Sequence, residues 1–336
     1  MTAKPKLGIY LSGFAYGPDR FPLLLEHARR ADELGIDAIT LSSHVVMALD
    51  EEPVNQDKRY RSLADLRRVR ETYPPDKPML HPPRNVPWLE VFTTMGAIAA
   101  VTSRAELYTA MAIPPLHPAV LFAKQAATLD WLAQGRLRLG VTASWIEGEY
   151  RALDRDFEQR GQVLDDTIAA CQALWAHTGS NEPVAFSSKT VNFEDIFFEP
   201  KPPSPQGIPV YFAGPFSKRT VRRVATMGQG WLPWLVPPEQ FPEAIRTVKE
   251  ATADAGRDPS DLVFQLNVPS IGADGKPAKM WTRADVERSF ERVPELAKTG
   301  ANLFIAPLYN FHDEPEEGLA ALEHIAEVWN KLDFDS

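Results

Sequence analysis

Short apolar runs recur along the whole chain, each followed by a segment of helical spacing, and this repeat limits the possible folds more than any other feature. The runs are Leu7–Ser12, Asp37–Ser42, Ala105–Ala112, Arg136–Thr142, Ile208–Ala213, Gln229–Trp234, Asp261–Val268 and Ala301–Ala306. Helical patterns begin near Phe21, Trp88, His117, Phe157, Ser217, Pro238, Arg283 and Glu314. Leu24, Ala28, Ala31, Leu34 and Phe122, Ala126, Leu129, Ala133 repeat at the helical period. Continuous apolar runs, rather than strict alternation, suit parallel strands covered on both faces. Eight βα units joined by right-handed crossovers close most economically into a (β/α)8 TIM barrel, an α/β fold. An open doubly wound sheet is the rival. Residues 1–336 are expected to form one barrel domain.

Composition narrows the function. The chain has 336 residues, 44% of them apolar, enough to bury a large core. A net charge of −9 argues against nucleic acid as the partner. No apolar run reaches the length of a membrane span, and the first residues, MTAKPKLGIYLSG, lack the apolar stretch of a signal peptide. A cytoplasmic enzyme is expected. The single cysteine, Cys171, cannot form an internal disulfide and excludes a cysteine-built metal site. Its spacing with Leu164, Ile168 and Trp175 marks it as core.

Three connections exceed what a barrel needs. Val45–Pro87, an insertion after strand 2, holds seven prolines. Pro269–Thr282 follows strand 7. Both leave the carboxyl ends of strands, the face where barrels keep their chemistry, so both read as lids or substrate walls, with surface decoration as the alternative. Ala176–Pro205 contains VAFSSKTVNFEDIFFEP, the pattern of one or two small strands. It is expected on the opposite face.

The stretch VYFAGPFSKRTVRRVATMGQGWLPW, Val210–Trp234, runs from a buried strand through Gly214-Pro215 to a helix opened by Ser217. Thr142–Gly148 leaves the neighbouring strand in the same way. Together these turns offer main-chain donors, the hydroxyls of Thr142, Ser144 and Ser217, and a helix start, a setting for a phosphate. Plain helix capping by Ser217 is the alternative. The dinucleotide fingerprint GxGxxG is absent. His44 falls just past strand 2 at the rim, and imidazole both gives and takes protons near neutral pH. A role in holding the long loop is its alternative. His81 and His117 lie near the same rim without distinguishing spacing. The first strand, IYLSGF, carries no His-x-His pair, so a metal hydrolase is not expected.

The block from Pro114 to Trp175 resembles the bacterial-luciferase-like oxidoreductases that use FMN or the deazaflavin coenzyme F420. The ordered set comprises Pro114, Ala123-Lys124-Gln125, Gly135-Arg136, Gly140–Trp145, Glu149, Phe157, Arg160-Gly161 and Leu174-Trp175. Pro200–Thr220 is similar to the family's Pro-Lys-Pro lead into strand 5 and its Gly-Gly-x-Ser turn. The departures are specific. Thr142 and Ser144 stand at family glycines, Ala213 replaces the first glycine of the later turn, and Ser43-His44 stands where Asp-His is common.

The resemblance implies a deazaflavin or flavin over the barrel mouth, against strands 2, 3 and 4. Thr109-Ala110-Met111 would back its ring, with a non-prolyl cis peptide at Ala110–Met111. Ser43, Thr142, Ala143, Ser144, Trp145 and Gly148, with Ala213, Gly214, Pro215, Phe216 and Ser217, would hold the cofactor, and His44 would move the proton. An F420-dependent oxidoreductase passing a hydride to or from a small organic substrate is the expected activity. An FMN-dependent monooxygenase and a flavin-binding protein without turnover are the alternatives. Phe14, Tyr16, Trp145, Trp231, Trp234 and Tyr309 should make the mouth apolar, fitting a hydrophobic or cyclic carbonyl substrate. The basic segment KRYRSLADLRRVR, Lys58–Arg70, would meet the acidic oligoglutamate tail of F420, unless it is a solvated helix face or a subunit contact. A homodimer is expected.

Overall fold

The computed structural model describes residues 4–12, 16, 20–46, 88–176, 182–234, 236–277, 283–312 and 314–334. Most of the Val45–Pro87 insertion, including Lys58–Arg70 and His81, and also Phe14, lie outside them.

Parallel strands β1 (Lys6–Tyr10), β2 (Ala38–Leu41), β3 (Glu106–Ala112) and β4 (Leu137–Val141) form half of the barrel wall. An antiparallel hairpin, β5 (Val184–Ser187) and β6 (Asn192–Ile196), stands apart from the barrel. The remaining wall is β7 (Val210–Gly214), β8 (Gly230–Pro233), β9 (Val263–Asn267) and β10 (Leu303–Pro307). The order β1-β10-β9-β8-β7-β4-β3-β2 closes on itself. The (β/α)8 barrel is therefore the fold, and the open sheet is set aside.

Helices cover the outside: α1 (Phe21–Glu33), α2 (Val91–Val101), α3 (Ala119–Leu132), α4 (Glu147–Ala152) and α5 (Arg160–Trp175). They continue with α6 (Lys218–Met227), α7 (Phe241–Asp254), α8 (Val286–Phe290), α9 (Val293–Ala297) and α10 (Gly318–Lys331). The sequence pattern missed α4, and the helix expected from Phe157 starts at Arg160. Phe157 instead stacks between Tyr150 and the Arg160 guanidinium, closing the turn between the two helices.

Strand alternation sorts the core into two layers. Ile9, Ile39, Leu107, Leu139, Phe212, Trp231, Phe264 and Phe304 face the helices. Ala38, Tyr108, Tyr211, Leu232, Leu303 and Ile305 fill the barrel. Phe122, Ala126, Leu129 and Ala133 of the α3 stripe are all buried, as their spacing requires. Cys171 is core beside Leu164, Ile168 and Trp175, and burial pushes its thiol up.

The hairpin lies in the connection between α5 and β7, packed along α5. Asp166 of α5 holds it by accepting from Thr190 N and Oγ1 at 2.9 and 2.7 Å.

Under α1, the Tyr16 hydroxyl meets His27 Nδ1 at 2.6 Å in a buried pair. Tyr16 therefore packs on α1 and does not line the mouth. Burial, with the nearby His312, lowers His27 from 6.5 to about 4. The unfolded chain binds this proton near pH 6.5 and the folded chain does not. Stability from neutral His27 is thus complete above that value and is lost as pH falls from 6.5 towards 4. The expected loss is about 2–3 kcal/mol across the window. Urea unfolding at pH 7.5 and 4.5 reads it, and His27→Gln should shrink the difference.

Candidate functional site

The carboxyl ends of the strands surround the mouth. The Ala110–Met111 peptide is cis, where the resemblance implies it, and the β3–β4 register shifts between Thr109 and Ala112. Thr109 is buried, and its Oγ1 donates to the Gly140 carbonyl at 2.9 Å. A Cβ on residue 140 would lie 2.1 Å from the Thr109 carbonyl oxygen, so only glycine lets β4 pass this point. Ala110 is partly exposed, and Met111 packs against the apolar filling of the barrel.

His44 follows β2 at the rim and is partly buried. Its Nδ1 lies 3.4 Å from Glu149 Oε2, and its ring meets Trp88 edge to face with centroids 4.8 Å apart. Glu149 is fully buried on α4, and its Oε1 accepts from Val45 N at 2.6 Å. One carboxylate thus grips both the His44 ring and the backbone beyond it. The missing aspartate at Ser43 is made good from another element: Ser43 itself is buried, and Glu149 takes the place of a carboxylate partner. A proton on Nδ1 donated to Glu149 leaves the Nε2 lone pair as the proton acceptor.

β4 and β7 are neighbours, with Gly140 opposite Tyr211 and Val141 opposite Phe212, so the two turns lie side by side. Their donors are fewer than the sequence suggested. Ser144 N donates to Thr142 Oγ1 at 3.2 Å and is spent within the turn. Pro215 has no N–H to offer. Ser144 has φ +56°, so a serine holds the left-handed backbone that the family's glycine would supply. Its Oγ is buried without a hydrogen-bond partner. The Ala143 carbonyl is taken by the Tyr150 hydroxyl at 2.6 Å. Gly148 is buried at the start of α4, and Trp145 is partly exposed.

In the second turn, Trp231 Nε1 and Trp234 N both donate to the Gly214 carbonyl, at 3.0 and 3.1 Å. The capping role expected as the alternative for Ser217 is present: its Oγ accepts from Thr220 N at 3.2 Å. The N–H groups of Lys218 and Arg219 lie in the first turn of α6 and have no intrahelical acceptor. That helix is anchored to α5 by buried Arg223, which pairs with Asp165 and donates to the Gly161 carbonyl at 2.7 Å. A helix end fixed in this way, with the Lys218 and Arg219 N–H groups of its first turn free, fits an anion such as a cofactor phosphate. Ala213 is partly exposed at the mouth, and Phe216 is exposed beside it.

The aromatic lining differs from expectation. Trp231 is buried against Phe241 on the helix side of β8 and does not face the mouth. Tyr10 faces inward instead, with its hydroxyl 2.5 Å from Ser42 Oγ and its ring edge-on to Tyr309 at 5.8 Å. Burial raises the Tyr10 hydroxyl, which keeps it protonated. Trp234 and Tyr309 are partly exposed. His117 packs between α2 and α3 against Phe92 and Phe122, and burial lowers it. Among the described residues, no group of three or more His, Cys, Asp or Glu could hold a metal ion, and no helix is long and apolar enough to cross a membrane.

An uncharacterised protein of Mycobacterium tuberculosis is 28% identical over 223 residues, covering 66% of this chain and 75% of that one. The pyrimidine monooxygenase RutA of Escherichia coli is 29% identical over 202 residues, 57% of this chain and 50% of RutA. Two solved structures share the fold at low identity. One is an F420-dependent secondary alcohol dehydrogenase in complex with an F420–acetone adduct, with a TM-score of 0.70 at 16% identity over 97% of this chain and 99% of that one. The other is a type II Baeyer–Villiger monooxygenase component from Pseudomonas putida in complex with FMN, with a TM-score of 0.69 at 13% identity over 99% and 100%. The sequence profile of the luciferase-like monooxygenases matches residues 8–327. That match spans nearly the whole chain, and the protein belongs to the luciferase-like monooxygenase family of oxidoreductases.

Proposed function

We propose that this protein is an F420-dependent oxidoreductase that passes a hydride between the deazaflavin and a small organic substrate at the barrel mouth. The observation that carries the reading is the rim histidine: His44 is gripped by the buried Glu149 and lies next to the strand that bears the cis peptide. The cofactor, when bound, supplies the hydride donor or acceptor. The chain supplies the rest. The start of α6, with the Ala213–Ser217 turn and the Ser144 hydroxyl, would hold the phosphate. The Thr109–Met111 segment would back the ring. His44 Nε2 would take or return the substrate proton. An FMN-dependent monooxygenase is the second reading, favoured by the similarity to RutA. The single buried cysteine fits a reducing, cytoplasmic setting.

The phosphate assignment has a direct check. A Cβ on Gly214 would already lie 3.1 Å from Thr220 Oγ1, so a larger side chain crowds the helix start. Replacing Gly214 and Ser217 together by leucine should weaken cofactor binding at least tenfold, about 1.4 kcal/mol. Unchanged affinity in the folded double variant would remove the phosphate from this turn.

A homodimer is part of the same proposal. The outer face of α3 exposes Leu121, Trp131 and Leu132 beside α2, which carries no charged residue. Large apolar groups next to a small-residue helix suit a self-complementary two-fold contact.

A further inference from the structure

We propose that the β9 wall of the mouth, through the Gln265 carboxamide, recognises a cyclic amide edge, an N–H beside a C=O, on a neutral substrate. The inference rests on the oxidoreductase reading only in placing the substrate at this mouth.

Along β9 the side chains alternate. Phe264 packs outward among the helices, while Val263 packs with the apolar filling of the barrel, which puts Gln265 and Asn267 on the inward face. On the adjoining strand, Leu303 pairs with Gln265 and Ile305 with Asn267, and both belong to that filling. Gln265 is thus a carboxamide inside a barrel filled by hydrocarbon and tyrosine, where the charged groups Lys6, Glu106 and Arg138 pair with one another. Its Nε2 makes one long contact, 3.4 Å to Asn267 Oδ1, and its Oε1 is buried without a hydrogen-bond partner. Turning the amide over would not cure this, because the NH2 would then be left in the buried position. A buried carbonyl without a donor costs about 1–3 kcal/mol. A side chain of leucine's size would avoid that cost, so the position reads as one completed by a ligand.

A primary carboxamide presents one acceptor and one donor side by side. Its complement is a ring amide, whose N–H meets Oε1 while its C=O receives the Nε2 proton. A ketone of the same shape has no proton for Oε1 and leaves it unpaired. A carboxylate would face Oε1 with like charge, and the inward cations Lys6 and Arg138 are both already paired with Glu106, at 3.0 and 2.7 Å. On the neighbouring strands, Tyr10 of β1 and Tyr309 just after β10 meet edge to face at 5.8 Å and give aromatic surface for a ring. This narrows the expected cyclic carbonyl substrate to one that carries an adjacent N–H.

The test uses two rings that differ at that one group, 2-piperidone and cyclohexanone, titrated calorimetrically into the protein with and without saturating cofactor. The lactam should bind at least tenfold more tightly than the ketone. Gln265→Leu should bring the two to within about twofold of each other, leave the cofactor titration unchanged, and melt no lower than the parent. Equal binding of both rings by the parent, no detectable lactam binding, or a preference that survives in Gln265→Leu would each overturn the proposal. If neither F420 nor FMN binds, the oxidoreductase reading fails on that titration alone, while the ratio measured without cofactor still decides the amide edge.

Discussion

His44→Ala is expected to lower turnover roughly 100-fold or more while cofactor affinity stays within about twofold, the usual worth of a positioned general acid or base. The ring reaches the rim from just beyond β2, and its Nδ1 faces Glu149, which under the proposed function leaves Nε2 to handle the proton. The Ala213–Ser217 turn proposed to hold the phosphate makes its own contacts, with Trp231, Trp234 and Thr220 rather than His44. A loss confined to turnover separates proton transfer from mere loop support. Turnover within about threefold of the parent would make His44 a structural residue.

Glu149 should prove nearly as costly, and its two obvious variants should differ. Glu149→Gln can still accept from Val45 N with its carbonyl. Its NH2 would then point at His44 Nδ1 and require that nitrogen to accept. The ring proton moves to Nε2, the wrong tautomer for a base, and turnover should fall roughly 100-fold with KM little changed. The acid limb of the pH–rate profile should shift as well, which a purely structural role would not cause. Glu149→Ala also strands the Val45 N–H and opens a cavity in a fully buried site. A stability loss of about 2–3 kcal/mol on thermal unfolding should accompany the rate loss. Activity near the parent in the Gln variant would show that Glu149 does not orient His44.

Local patterns carried the barrel. Each of its strands lies within two or three residues of an apolar run, because a parallel strand covered on both faces is largely apolar. The exceptions are informative. Helix α4, six residues of EGEYRA, is too short and too polar to show a period. Trp231 and Leu232 are equally apolar, and only the register of β8 decides that the leucine fills the barrel and the tryptophan faces the helices. Tyr16 was expected at the mouth, but the buried nitrogen of His27 claims it. The position of His44 at the rim was legible from its place after a strand. Its partner was not, since Glu149 lies 105 residues further on and stood out only as one letter of a motif. The polarity of the mouth at Gln265 was hidden for the same reason: it emerges from alternation along β9 and from an atom without a partner, neither of which a sequence displays.

The most direct measurement is an absorbance and fluorescence titration of the parent protein with F420 and with FMN. F420 is expected to bind at micromolar concentration or tighter, with FMN at least tenfold weaker, about 1.4 kcal/mol. Tight FMN binding with no detectable F420 binding would contradict the F420 reading and make the protein a flavin monooxygenase. Binding of neither would contradict a cofactor site at the barrel mouth altogether.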